Sequence, residues 1–252
     1  MGVCCAAADE SVGGRVDGIP RTANGRPSNI MRSGIAMKPK LYYFDSYGRA
    51  EVIRMLLHLT KTDFEDIRLS QEEFAQMKEE GFFPNGQVPV WIDEKGMVFN
   101  HTSAILIMIA KKHDLYSSDY NKSYIDDWAL DTMNDLVKPA FYLKLLQPEC
   151  EEEEIEAATK MFRDWNKVVN RKFAELETPY FGGEKPSLAD IVLLQLYSNV
   201  ALNSNLQCND MQESLEQAYI VSSGESFKAW VQRMEGESMF EEYLAQRPVA
   251  HF

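Results

Sequence analysis

The chain has 252 residues, of which 45% are hydrophobic and 26% charged, a composition typical of a soluble protein with one large or two small domains. The net charge of -13 argues against nonspecific binding to nucleic acid, so no nucleic-acid partner is expected. Four cysteines without a CxxC pair predict neither a disulfide framework nor a metal site.

Residues 1–37 are rich in Gly, Ala, Ser, Asn and Arg and show no sustained hydrophobic period. This pattern predicts a disordered head. Residues 1–40 carry six basic and three acidic side chains, whereas the remainder of the chain is strongly acidic. The head therefore differs from the body in charge as well as in hydrophobic content.

The first residues of the head resemble a lipidation signal. Gly2 is an N-myristoylation candidate once Met1 is removed, although Ala6 stands where Ser or Thr is usual. One acyl chain holds a membrane only weakly, so Cys4 and Cys5 are predicted to supply the second signal as palmitoylation sites. The prediction is a cytoplasmic protein tethered to the inner face of a membrane; the alternative is an unmodified leader.

Strands alternate with helices over residues 38–113. Strands are predicted at Leu41–Phe44, Phe64–Leu69, Val88–Ile92 and Met97–Phe99, and helices at Arg49–Leu59, Gln71–Glu80 and Thr102–Lys112. The sequence then predicts only helices over 121–248, at Tyr124–Leu146, Glu151–Leu176, Ser187–Leu202 and in shorter segments to Gln246. The predicted fold class is a small α/β domain followed by an all-helical bundle domain.

Six segments in this order resemble the glutathione S-transferase family: LYYFDSYGRAE, GQVPVW, HTSAI, DTMND, PYFGGEKPSLADI and FEEYLAQRP. The resemblance covers about Lys38 to Pro248 and is closest to the sigma class, which includes prostaglandin D synthases. It implies a thioredoxin-like first domain, glutathione as cosubstrate and a homodimer. It also implies an enzyme that adds the glutathione thiol to a small electrophile or uses it to isomerise a peroxide.

The same resemblance implies that the hydroxyl of Tyr43 contacts the sulfur of glutathione, with Arg49 close by. Tyr42 and Tyr43 face opposite sides of a strand, so only one of them can reach a given site. The alternatives are that Tyr43 is an ordinary strand residue and that Arg49 is a solvated helix residue. Ser46 is a competing candidate, because other transferase classes use a serine near this corner.

Further residues match positions that hold glutathione. Val88-Pro89 matches a cis-proline turn whose backbone binds the cysteinyl part, and Gln87 is expected to assist. Phe74 and Lys78 match a tryptophan and a lysine that hold the glycine carboxylate. A phenyl ring cannot donate a hydrogen bond, so Lys78 is expected to contribute more there. The alternative for both is a position on a surface helix.

His101-Thr102 stands where the family usually has Gln-Ser. Thr102 keeps a hydroxyl at a helix N-terminus and is expected to bind the γ-glutamyl carboxylate. His101 forms a hydrogen bond there or only fills space. Asp135 matches an aspartate that reaches across the dimer to the glutathione ammonium, the alternative being a solvated helix acid. Ser187–Asp190 reads as a capping box, which predicts a role in stability.

The electrophile is expected between the domains, near Ser46, Tyr47 and residues 137–141. A catalytically weak scaffold with a transferase fold is the alternative function, because residues 74 and 101 depart from the family pattern. The pair Tyr43 and Arg49 favours the enzyme, since a scaffold need not keep it. A redox thioltransferase is disfavoured because no cysteine lies at the first strand corner.

Overall fold

A four-stranded mixed sheet forms the first part of the protein in the computed structural model, which describes residues 37–136, 145, 147–236 and 240–250. Its strands are β1 (Lys40–Phe44), β2 (Glu65–Leu69), β3 (Val90–Ile92) and β4 (Val98–Asn100). The order is β2-β1-β3-β4, with β1 parallel to β2 and antiparallel to β3. All four predicted strands occur, but β3 begins two residues later than predicted because Pro89 has no N–H for a ladder.

Helices flank the sheet and then follow it. They are α1 (Glu51–Leu59), α2 (Gln71–Glu79) and α3 (Thr102–Lys112), followed by α4 (Tyr120–Leu136), α5 (Glu152–Leu176), α6 (Leu188–Leu196), α7 (Asn209–Ser222), α8 (Glu225–Gly236) and α9 (Glu241–Gln246). A thioredoxin-like unit followed by helices confirms the predicted fold class. Helix α4 starts four residues before the predicted position, and residues 137–144 lie outside the described part.

Two short helical segments depart from the predicted boundaries. The residues Gly48–Ala50 form a 3₁₀ turn before α1, so Arg49 lies ahead of the α-helix rather than in its first turn. After α6 the backbone continues as a π-helical turn, Tyr197–Ala201, in which every residue is buried. A 3₁₀ turn is common at the end of a helix, whereas a π-helical turn is rare.

Strand alternation in β1 separates the two tyrosines, as the sequence predicted. Leu41 and Tyr43 belong to the main hydrophobic core, whereas Tyr42 packs on the opposite face of the sheet with Phe82 and Val90. The main core also contains residues of α1 and of α6, which pack against each other. The sheet domain and the helical domain therefore share one core, and β1 ends close to their junction.

A pair of buried carboxylates fixes the start of α6. Ser187 and Asp190 form the predicted capping box, and Asp190 also accepts a hydrogen bond from the indole of Trp230 at 2.8 Å. Asp126 of α4 accepts from the Ser187 hydroxyl at 2.6 Å and from the Ala189 N–H at 2.9 Å. The cap thus ties three helices together, consistent with a role in stability.

The pH dependence of stability tests the role of Asp126. Burial raises the pKa of its carboxyl to about 6, whereas an aspartate in an unfolded chain titrates near about 4. The folded state therefore binds more protons between these values, and this group's contribution to the free energy of unfolding falls by roughly 3 kcal/mol as the pH rises from about 4 to about 6.

Asp126→Asn cannot ionise and should lose this component. Urea unfolding of both proteins at several pH values measures it, and the wild type is expected to lose stability relative to the variant across the window. A difference between the two proteins that stays constant with pH would contradict the assignment.

Candidate active site

The candidate site begins where β1 ends at the domain junction. Tyr43 is 9% exposed, and its hydroxyl oxygen accepts a hydrogen bond from the backbone N–H of Arg49 at 3.0 Å. Gly48 permits this approach, because its φ is +42° and a Cβ there would lie 2.5 Å from the Tyr43 hydroxyl oxygen. The 3₁₀ turn thus aims a main-chain donor at the phenol.

Burial raises the pKa of the Tyr43 phenol, while the Arg49 N–H and the charges of Arg49 and Arg54 act in the opposite direction. The raised pKa keeps the hydroxyl protonated at neutral pH. Its oxygen already accepts a hydrogen bond, so its own proton remains available to a bound acceptor. A protonated phenol held in this way can stabilise an anion placed beside it.

A small cleft of about 40 Å³ lies next to this corner. Its lining consists of Arg49, Asn85, Gln87, Val88, Pro89, Asn100, His101 and Thr102. The Val88-Pro89 bond is cis, as predicted. Five predicted glutathione-binding residues therefore share one cleft with Arg49. Asn85 and Asn100 were not predicted to line a site. The dipeptide Asn85-Gly86 indicates only a turn, and Asn100 is the last residue of β4.

The N-terminus of α3 forms one wall of the cleft. Thr102 is its first residue and is buried, and His101 precedes it with a φ of +66°. The amide nitrogen of Asn85 donates a hydrogen bond to Nε2 of His101 at 2.8 Å. His101 therefore has a hydrogen-bond partner within the protein, and its strained backbone is typical of functional positions. A hydrogen bond of His101 to glutathione stays a prediction.

Phe74 and Lys78, two further predicted residues, are not among the lining residues of the cleft. The Phe74 ring packs against Phe44 and Phe83, with centroids 5.0 and 5.4 Å apart, so it serves the small aromatic core. The ammonium of Lys78 lies 5.7 Å from the centre of the Phe74 ring, and its side chain runs next to Gly86. Lys78 thus reaches the segment that leads into the cleft.

Asp135 lies exposed on the last turn of α4 and does not line the cleft. Its neighbour Asn134 donates to the Ser103 hydroxyl of α3 at 3.3 Å, so this part of α4 is attached close to Thr102. The predicted contact of Asp135 across a dimer stays a prediction.

Three further predictions concern Tyr47, residues 137–141 and the N-terminal head. Tyr47 is 1% exposed and its ring is covered by Arg247, so it lies near the corner but is closed to solvent, and the electrophile site expected near it stays a prediction. Residues 137–141 and the lipidation candidates Gly2, Cys4 and Cys5 lie outside the described residues. None of the described helices is both long and apolar enough to cross a membrane.

Comparison with known proteins decides the family. Residues 39–111 match the family model for the glutathione S-transferase N-terminal domain, and residues 131–247 match the model for the C-terminal domain. Human glutathione S-transferase A1 is 34% identical over 181 residues, which are 68% of this chain and 78% of that protein. The chain belongs to the glutathione S-transferase family. Glutathione transferase activity with glutathione as cosubstrate, as the sequence predicted, follows from this membership.

Solved structures support the fold of this transferase. A glutathione S-transferase of the hookworm Necator americanus, described as monomeric, superposes with a TM-score of 0.71 at 22% identity and covers 86% of this chain and 100% of its own. Prostaglandin synthase D of Nilaparvata lugens gives a TM-score of 0.65 at 23% identity, covering 84% and 100%. Neither likeness assigns the sigma class or an oligomeric state, so the sigma class and the homodimer stay predictions.

Gly48→Ala tests the close approach at the corner. The new methyl group would collide with the Tyr43 hydroxyl and displace it, so we expect kcat/KM for conjugation to fall by at least about tenfold. Gly96→Ala is the matched control, because Gly96 has a φ of +76° but no atom within 4 Å of the position that a Cβ would take. Steady-state kinetics should show little change for Gly96→Ala; equal losses in both variants would mean that backbone strain, and not the phenol, is responsible.

Proposed function

We propose that this transferase activates glutathione through the Tyr43 hydroxyl, which donates a hydrogen bond to the sulfur. The observation that carries the proposal is the buried phenol of Tyr43. Its oxygen accepts a hydrogen bond from the Arg49 N–H, so its own proton is available for donation to the sulfur. A thiol with a pKa of about 8.5 is only a few per cent ionised at neutral pH. Bound as the thiolate, the sulfur would attack an electrophile and the thiol proton would leave to solvent.

The energies are of matching size. Ionising most of the thiol at neutral pH requires a pKa shift of about 2 units, or roughly 2.7 kcal/mol. One hydrogen bond to a charged group contributes about 1.5–3 kcal/mol. The phenol therefore supplies most of the stabilisation, and the guanidinium of Arg49 would supply the remainder.

The cleft supports a binding mode for the rest of the tripeptide. The α3 N-terminus presents Thr102 and His101, a suitable environment for the γ-glutamyl carboxylate. The backbone of Val88 would bind the cysteinyl part, with Gln87 beside it. Lys78 would pair with the glycine carboxylate, because it is the cation that runs along Gly86.

The reaction is proposed as conjugation to an electrophile, with peroxide isomerisation as the second possibility that the sigma-class resemblance offers. Glutathione transferase relatives at 34% identity favour the enzyme over the scaffold alternative. The corner itself also favours it, since a protein with only a structural role would not require Tyr43 and Arg49 to be in hydrogen-bond contact.

Tyr43→Phe tests the proposal. It removes the hydroxyl and little packing, so we expect kcat/KM to fall by about one to two orders of magnitude while glutathione affinity barely changes. Tyr42→Phe is the matched control, because its ring lies on the opposite face of the sheet. Conjugation of a chlorodinitrobenzene is the assay. A fully active Tyr43→Phe, above all with an inactive Ser46→Ala, would exclude Tyr43 as the activating group.

We also propose that the head tethers the transferase to the cytoplasmic face of a membrane through acyl chains on Gly2 and on Cys4 and Cys5. The two kinds of acylation would act together, because one chain alone binds only reversibly. Cell fractionation should place the wild type with membranes, whereas Gly2→Ala and a Cys4→Ser, Cys5→Ser double variant should be released. Equal distribution of all three into the soluble fraction would refute the anchor without affecting the role of Tyr43.

A further inference from the structure

A buried arginine, Arg54, holds the corner between β1 and α1. Arg54 is 2% exposed, and its Nη1 donates to the carbonyl oxygens of Ser46 at 2.8 Å and of Tyr47 at 3.5 Å. Its Nε donates to both oxygens of Asp66 at 3.0 and 3.1 Å. The backbone that leads from Tyr43 to Arg49 is thus anchored to α1 and to β2.

Arg54 is in turn paired with a carboxylate that has no exposed surface. Nη1 of Arg54 lies 3.3 Å from Oε2 of Glu51, and Glu51 is 0% exposed. The other oxygen, Oε1, accepts from the Tyr243 hydroxyl at 2.9 Å and from Nη1 of Arg247 at 3.0 Å. A buried carboxylate needs such partners. The partners of Oε1 come from α9 and from the residue that follows it.

Arg247 also contacts the corner directly. Its guanidinium carbon lies 4.1 Å from the centre of the Tyr47 ring, in stacking distance. It is held there by Asn199, whose side-chain oxygen accepts at 3.0 Å, and by the carbonyl of Ser198 at 3.4 Å, both on the π-helical turn. One side chain therefore links the helical domain, Glu51 and the residue just before Gly48.

We propose that Arg247, assisted by Tyr243, is a positioning residue for glutathione conjugation: it holds the corner so that the Tyr43 hydroxyl stays in hydrogen-bond contact with the Arg49 N–H. This inference rests on the proposed role of Tyr43. Without Arg247 the Tyr47 ring loses its cover and Glu51 loses a cation. Gly48 and Arg49 follow Tyr47 directly in the chain, so a displacement of Tyr47 is passed to them.

The effect on the thiol separates positioning from electrostatics. The charged groups that act on the Tyr43 phenol are Arg49 and Arg54, and neither is removed when Arg247 is replaced. Arg247→Lys keeps the charge and Tyr243→Phe changes none, so a change in the pKa of bound glutathione in these two variants would report an altered geometry of the phenol. Small displacements suffice, because a misplacement of about 1 Å costs up to about 100-fold in rate.

The experiment measures Arg247→Ala, Arg247→Lys and the matched control Arg233→Ala. Arg233 likewise stacks on a tyrosine, 5.5 Å from the Tyr180 ring centre, and donates to a carbonyl, that of Pro179, at 2.7 Å. For Arg247→Ala we expect kcat to fall about tenfold, the thiol pKa to rise, and KM for glutathione to change less than about twofold. Arg247→Lys keeps the charge but not the planar fork, so its loss should be intermediate.

Thiolate absorbance of bound glutathione against pH measures the thiol pKa, and thermal unfolding measures stability. Arg233→Ala should lower stability without moving the thiol pKa. If Arg247→Ala loses activity while the thiol pKa stays unchanged, the proposal is overturned. Should that variant not fold, Tyr243→Phe decides, because it removes only the hydroxyl bound to Glu51 and should shift the thiol pKa in the same direction; no shift overturns the proposal.

A double variant distinguishes this inference from the proposal on which it rests. If Arg247 acts through Tyr43, Arg247→Ala should cost no further activity in a Tyr43→Phe background. A full additional loss there would refute the positioning role while leaving Tyr43 in place. An active Tyr43→Phe single variant would instead refute the role of Tyr43 itself.

Discussion

A carboxylate that is completely removed from water must be paired. Glu51 is such a carboxylate, and its partners come from its own helix and from the end of the chain. Arg54 lies on the same helix, whereas Tyr243 and Arg247 come from segments 192 and 196 residues away. Apolar burial between α1 and α6 brings the domains together, but it has no direction. The polar contacts of Glu51 do have direction, and they determine how the last helix lies against the first one.

The protein and the tripeptide that it binds are both negatively charged and therefore repel each other. The protein carries a net charge of -13, and the tripeptide that it binds is itself an anion. Favourable local potential must therefore come from groups close to the ligand. In the proposed binding mode, Arg49 beside the cleft, Lys78 along Gly86 and the N-terminus of α3 would be such groups. Main-chain dipoles at the N-terminus of α3 and at the 3₁₀ turn would add positive potential there. They do so without further basic side chains, which the acidic groups of the surface would neutralise.

Much of this arrangement could be predicted because it is local. Period-two alternation alone separates Tyr43 from Tyr42, and the spacing from Ser187 to Asp190 alone predicts a cap. Other parts depend on contacts between distant segments. The hydrogen bond of Asn85 to His101 and the stacking of Arg247 on Tyr47 leave no periodic signal in the sequence.

The expectations about aromatic residues show the same limit. Phe74 was expected to lie at the glutathione site, which stays a prediction, and its residue type alone does not show that its ring packs against Phe44 and Phe83. Tyr47 was expected near an electrophile site, and the cover over its ring comes from Arg247, which lies far along the chain. Residue type predicts what a side chain can do, whereas the fold decides whether it is covered.

The π-helical turn Tyr197–Ala201 adds one residue to a helix that α6 begins. A single added residue rotates everything after it by about 100° relative to an uninterrupted α-helix. Ser198 and Asn199, which receive Arg247, lie inside that turn. In a relative whose helix is regular throughout, an ungapped alignment would pair Asn199 with a residue on another face. The evolutionary history of this contact is therefore traced correctly only when a one-residue gap is allowed within 197–201.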